Sequence, residues 1–308
     1  MNPYLFVTGC PRSGTTLLQR MLDNHPRLAV SDDTRVVPRR IIRLNLGPES
    51  PLTDQLVDEV VGFKRFGRFG IDEPTARHLA VGAGTFAGFV RALFDEFARR
   101  SGKPLAGEKV PAYVRHLPVL HRLFPDARFV HIVRDGRDVA LSTLDWVTQK
   151  PDRFLGRLAL WDEEPVAVCA LRWRRQVAAG EQGRRELGDD RCLVVRYEEL
   201  AATPEPVLRS VAAFLDLPFN SSMVDFYKGR ERRAPGLTGK DQEWFPATSG
   251  LRNWRADLAP RDVQLFEALA GDLLASLGYP LTEPEIPPEV SAVAERCERW
   301  WATEVEHK

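Results

Sequence analysis

A short apolar run, Tyr4–Val7, leads straight into a turn built on Gly9, Pro11 and Gly14. The turn opens a segment in which Leu17, Leu18, Met21 and Leu22 share one helical face before Pro26 ends it. Strand, glycine-bearing turn, helix: this order commits the chain to an α/β architecture. It also leaves free backbone N–H groups at a helix N-terminus, where an anion binds. The spacing is Gly9-x4-Gly14-Thr15-Thr16, and a nucleotide triphosphatase has lysine where Thr15 stands.

The pattern repeats downstream. Arg128–Val133 is a second strand, ending in Arg134-Asp-Gly-Arg-Asp138, and a helix leaves from Val139. Cys192–Tyr197 is a third strand, followed by a helix over Pro204–Leu215. Such alternation predicts an α/β fold: a P-loop-type parallel sheet flanked by helices, with helical insertions and a C-terminal lid loop. One domain over 1–308 is expected. Residues 36–105 form a helical insertion shaping the acceptor pocket, 228–254 the lid loop and 285–308 a tail helix that offers Trp300 and Trp301 as partner contacts. Trp161–Leu187 reads as one long helix, its Arg172, Arg174 and Arg175 a solvated face.

Formal net charge is zero, so no electrostatic footprint for nucleic acid is expected. Cys10, Cys169, Cys192 and Cys297 form no C-x-x-C pair, which argues against structural zinc and a disulfide scaffold. No apolar run reaches membrane-spanning length, and the N-terminus enters the first strand at once. These features predict a cytoplasmic protein without a membrane span; a homodimer is compatible with them.

In the first turn, the amides and the hydroxyls of Ser13, Thr15 and Thr16 can bind an oxyanion, and Arg12 adds charge. With no Walker lysine, and Arg134 where a strand-end Mg²⁺-binding Asp would stand, the ligand should need less metal neutralisation than ATP does. A nucleotide ending in a sulfonate meets that description. Arg134 and Ser142 suit a second phosphate of the same ligand; alternatively Arg134 pairs with Asp135 or Asp138. Asp32 and Asp33 are an N-cap pair for the next helix or a chemical pair. Thiol chemistry at Cys10 fails, since a phosphatase loop needs Arg where Thr16 stands.

Phe6-Val-Thr-Gly-Cys-Pro-Arg-Ser-Gly-Thr-Thr-Leu-Leu18 with Leu22-Asp-Asn-His-Pro26 resembles the 5′-phosphosulfate loop of sulfotransferases, which use 3′-phosphoadenosine 5′-phosphosulfate (PAPS). Arg134-Asp-Gly-Arg-Asp-Val-Ala-Leu-Ser142 is similar to their 3′-phosphate motif. Asp32-Asp-Thr-Arg-Val-Val-Pro-Arg39 looks most like the tyrosylprotein sulfotransferase branch, which has a Glu-Glu-Thr-Arg run there. The likeness continues through Leu123-Phe-Pro-x-x-Arg-Phe129, Val195–Leu200 and Leu277-Gly-Tyr279.

The resemblance implies that Arg12, Ser13, Gly14, Thr15 and Thr16 hold the 5′-phosphosulfate. Arg134 and Ser142 hold the 3′-phosphate, and Tyr197 touches the nucleotide. Asp33 falls where that branch has a catalytic Glu as general base, and Lys109 where a Lys stabilises the sulfuryl group. Two departures stand out: the base is one methylene shorter, and in Leu251-Arg-Asn-Trp254 the family's Lys before Trp254 is Asn253, leaving Arg252 to supply charge. Thr238 in the lid is a further match. The tyrosylprotein enzymes carry a membrane anchor, so the expected acceptor is a small-molecule, glycan or lipid hydroxyl rather than a protein tyrosine. The implied reaction is in-line transfer from PAPS, leaving PAP, without metal. The rivals are a metal-dependent P-loop small-molecule kinase and a non-catalytic nucleotide-binding scaffold. Phe63, Phe66, Phe69, Phe86 and Phe89 are either plain core or the wall of an apolar or phenolic acceptor pocket.

Overall fold

A computed structural model describes residues 4–149, 154–228, 252–282 and 285–306. The chain divides into two compact units: Met1–Gly9, Gly14–Ile132 and Ala179–Thr248 form one, and Cys10–Ser13, Val133–Ala178 and Ser249–Lys308 the other.

The first unit is organised on a sheet of five strands: β1 (Leu5–Gly9), β2 (Leu28–Asp32), β3 (Leu105–Lys109), β4 (Arg128–Val133, whose last residue belongs to the second unit) and β5 (Cys192–Arg196). Their order is β2-β3-β1-β4-β5, and β1 pairs in parallel with both β3 and β4, as β2 does with β3. Every residue of β1 is buried, as expected of a strand covered on both faces. Strand alternation splits its side chains. Phe6 joins an aromatic core with Phe94, Tyr113, Phe124 and Phe129, while Leu5 and Val7 face Leu18, Met21, Val130 and Ile132.

The helical insertion is present as Arg39–Arg43, Asp54–Val61, Glu73–Val81 and Phe86–Arg100. Thr53, Asp72 and Thr85 cap the last three, each side chain accepting a hydrogen bond from an amide of the first turn. Phe66, Phe69, Phe86 and Phe89 are buried core of this insertion. Phe63, the fifth of the candidate pocket aromatics, lines a cavity of about 540 Å³, with Pro38, Arg39, Gln55, Glu59 and Lys64 among its other walls.

In the second unit, helix Gly136–Gln149 follows β4, and Gly136 lies under Trp173 and Phe266. A Cβ there would come within 2.6 Å of the Trp173 ring, so a side chain at 136 would push the two apart. The helix expected over Trp161–Leu187 is two, Ala159–Glu163 and Pro165–Leu187. Pro165 has no N–H to continue the first and suits the first turn of the second. The tail is helical over Pro288–Trp301, but Trp301 is buried within the chain, which removes it as a free partner contact. Arg174, half-exposed, is also engaged on its own surface: it donates to the Leu269 carbonyl and to Glu298. No described helix is long and apolar enough to cross a membrane.

His131 on β4 is wholly buried, with neither ring nitrogen hydrogen-bonded among the described residues. Burial pushes it down to about 4. The unfolded chain therefore binds a proton that the folded chain refuses as pH falls below about 6.5. Stability held by neutral His131 is complete above that value and is lost as pH falls toward 4, by about 3 kcal/mol. The expected result is a melting temperature that drops between pH 7 and 4, with His131→Leu flattening the slope.

Candidate active site

The first unit carries the start of helix Thr15–Asp23. Its N-cap Gly14 has φ 89°, and no side chain caps the helix. A Cβ at Gly14 would lie 2.3 Å from the Tyr197 ring. Glycine is therefore required twice over, for the left-handed backbone and for the close approach of Tyr197. With no acidic residue in the first turn, the amides there are available to an anion.

Beside this turn, β3 ends in two buried ionisable residues, Glu108 and Lys109. Lys109 Nζ donates to Thr16 Oγ1 at 3.3 Å and pairs with Asp32, the register partner of Lys109 on β2. Burial works to raise the Asp32 carboxyl, but Lys109, Arg68 and Arg20 outweigh it and hold it below the usual range. Asp33 faces elsewhere. It pairs with Arg35 at 3.1 Å and with Arg65, while its amide donates to the Lys109 carbonyl at 2.8 Å. The N-cap reading of this pair is overturned: the next helix begins at Arg39 with Pro38 as its cap, and both carboxylates are engaged by cations. Sequence reasoning named Lys109 and Asp33 but missed that Asp32 is the counter-ion of Lys109. The signal was the parallel register of two short strands.

The second unit carries Arg12, Ser13, Arg134, Ser142, Arg252 and Trp254. Arg12, at φ 80°, donates through Nε to Ser142 Oγ at 3.1 Å. Thus a residue assigned to the 5′ end and one assigned to the 3′ end of the nucleotide are in direct contact. Ser13 is fully buried, and its hydroxyl has no partner among the described residues. Burial lowers the Arg12 guanidinium from its ordinary value, and Arg252, Arg134 and Arg172 add repulsion, partly relieved by Asp145. This crowding of positive charge is costly without an anion. Arg172 was read as part of a solvated face, and its place in the cluster could not be seen from spacing.

Arg134 is nearly buried and pairs with Asp138 at 3.6 Å, one of the two partners considered for it. Arg252 pairs with Asp145 at 2.6 Å. Trp254 is committed to structure. Its indole N–H donates to Asp135 at 3.1 Å, its amide donates to Asp138 at 3.1 Å, and the Arg137 guanidinium lies 3.7 Å over its ring. Most of the lid expected over 228–254, Thr238 included, lies outside the described residues.

Against known proteins, residues 3–221 match the description of the sulfotransferase family. The chain is 28 % identical over 286 residues to protein-tyrosine sulfotransferase 1 of Danio rerio, covering 90 % of this chain and 72 % of that protein. Among solved structures, the sulfotransferase domain of the Synechococcus PCC 7002 olefin synthase superposes with a TM-score of 0.64 at 22 % identity, covering 91 % of this chain and 96 % of that one. A mouse sulfotransferase complexed with PAP does so at 0.53 and 15 % identity, covering 98 % and 90 %. These relatives correct the cytoplasmic expectation. Several relatives are named protein-tyrosine sulfotransferases, the branch whose members carry a membrane anchor, and the lack of a spanning helix among the described residues assigns no compartment.

Proposed function

Since the chain belongs to the sulfotransferase family, we propose that it transfers the sulfuryl group of PAPS in line to a phenolic hydroxyl, with a peptide tyrosine as the first acceptor to test. The sequence favoured a small-molecule, glycan or lipid hydroxyl; the protein-tyrosine relatives move the reading. A phenol, with a pKa near 10, also gives up its proton to a carboxylate more readily than an alcohol does.

The observation that carries the proposal is the placement of Lys109, whose ammonium meets both the Thr16 hydroxyl of the anion-binding turn and Asp32, next to Asp33. In this reading, the amides of Gly14–Thr16 hold the phosphosulfate and Arg12 and Lys109 offset charge growing on the sulfuryl oxygens and the leaving phosphate. Asp32 aims Lys109. Asp33, oriented by Arg35 and Arg65, accepts the acceptor's proton. Arg134 and Ser142 hold the 3′-phosphate.

Incubation with radiolabelled PAPS and a tyrosine peptide should yield sulfated peptide and PAP in equal amounts. A thermal shift with ATP and Mg²⁺, and none with PAP, would overturn the reading in favour of a kinase. Arg134→Ala should weaken PAP binding by about 10- to 100-fold, the loss of charge-assisted hydrogen bonds. A change confined to acceptor affinity would remove Arg134 from the nucleotide.

A further inference from the structure

Glu108 has no role in that scheme, yet it is wholly buried one residue before Lys109. Strand alternation puts the two on opposite faces of β3. Lys109 reaches Thr16 and Asp32, while Glu108 sits on the face shared with Phe6, its register partner on β1. A carboxylate in such surroundings must be heavily hydrogen-bonded or protonated. One oxygen, Oε1, accepts three hydrogen bonds from three consecutive residues: the Thr34 hydroxyl, the Arg35 amide, and the Val36 amide at 3.2 Å. Ser31 adds a link, its hydroxyl lying 3.3 Å from Thr34 Oγ1 and 3.4 Å from the Gly107 carbonyl.

The segment so held needs holding. Asp33 and Arg35 both sit at positive φ, 50° and 55°, a backbone region that costs non-glycine residues energy unless their surroundings fix it. Two adjacent residues of one strand therefore grip both ends of the Asp32–Val36 turn. Lys109 takes the Asp32 carboxylate and the Asp33 amide; Glu108 takes Thr34, Arg35 and Val36.

Building on the sulfuryl-transfer reading, we propose that Glu108 is the positioning residue of the turn that carries the base, fixing Asp33 through the backbone of Arg35 and Val36. The titratable group facing it is Tyr113, from the turn after β3, which also feels the Arg35 charge; Arg35 itself reaches Glu108 through its amide, and Phe6 is the register partner of Glu108. Burial pushes the Glu108 carboxyl up to about 7, against the Thr34, Val36, Arg35 and Tyr113 donors that favour its charged form. The grip thus tightens as pH rises through neutrality, because the carboxylate accepts these hydrogen bonds more strongly than the neutral acid does. The stability held by its neutral form runs the other way: complete below the ordinary value near 4.5, and lost as pH rises through about 7.

The test compares Glu108→Ala and Glu108→Gln with the wild-type chain by amide hydrogen exchange in the protein without substrate. PAP affinity and kcat are measured alongside. Glu108→Ala should speed exchange at Arg35 and Val36 by about tenfold, as loss of a hydrogen bond to a charged acceptor does. It should also cut kcat by about tenfold or more and leave PAP affinity within about twofold. Glu108→Gln, which keeps an acceptor oxygen, should restore exchange and most of kcat but lose the rise of kcat through pH 7. Unchanged exchange at Arg35 and Val36 in Glu108→Ala overturns the proposal, as does a loss of PAP affinity equal to the loss of kcat. If Glu108→Ala does not fold, Glu108→Gln decides: its melting temperature should gain on wild type between pH 5 and pH 8, and a constant difference overturns the proposal. Exchange changes in a chain that sulfates no acceptor would sink the transfer reading and leave the role of Glu108 standing.

Discussion

Asp33→Asn should lose about 10²–10⁴-fold in turnover, the usual worth of one general base, while still binding PAP like the wild type. The substitution keeps size and shape; it removes the group that takes the proton and, with it, the charge that pairs with Arg35 and Arg65. The two carboxylates of the turn do different work, and that makes the result decisive. Asp32 is spent on Lys109, whereas Asp33 is held by Arg35 and Arg65. Asp32→Asn should therefore act through Lys109: its ammonium loses its counter-ion, and stabilisation of the sulfuryl oxygens falls with it. Measured side by side with saturating PAPS, Asp33→Asn should be the slower enzyme. Near-normal turnover in Asp33→Asn would move the base elsewhere, with Asp32 or His25 next in line.

The second large effect lies far from proton transfer. Arg137 is fully buried, forming ion pairs with Asp135 at 2.8 Å and Glu267 at 2.6 Å and stacking on Trp254. Glu267 also accepts from the Thr282 amide and hydroxyl. Truncating Arg137 strands two carboxylates, one wholly and one almost wholly buried. Breaking such a pair from one side costs about 3–5 kcal/mol. For a chain of this size that lowers the melting temperature by about 10 °C. Arg137→Lys should recover little, because an ammonium cannot reproduce the planar fork that meets both acids and the indole face. A melting temperature within about 2 °C of wild type in Arg137→Met would show the network to be dispensable.

The strand–turn–helix frame was legible because it obeys local rules: Gly14 takes the left-handed backbone of its turn, and Arg134 follows a short apolar strand. What was not legible depended on long-range register. β3 reads Leu-Ala-Gly-Glu-Lys, a poor strand by composition, and becomes one only because β1 and β2 flank it. Without that register, Asp32 and Lys109 have no reason to meet, and Glu108 looks like a surface residue. Arg137 likewise stands in the sequence only as a residue of the turn after β4; its burial depends on Glu267 and Trp254, more than a hundred residues away. The insertion helices were recognisable as helices, but which of their aromatics face a cavity was not.

The sheet order also bears on how the chain must be made. Of the five strands β1 is made first, yet its two neighbours are β3 and β4, so Leu5 pairs with Gly107 on one side and Arg128 on the other. Parallel pairings across such separations form slowly and leave the central strand's edges unpaired until late. A nascent chain that stops before β4 is complete displays the Gly9–Thr16 turn with one flank missing. The anion-binding turn lies at the amino end of the sequence, but it is among the last parts of the sheet that synthesis can finish.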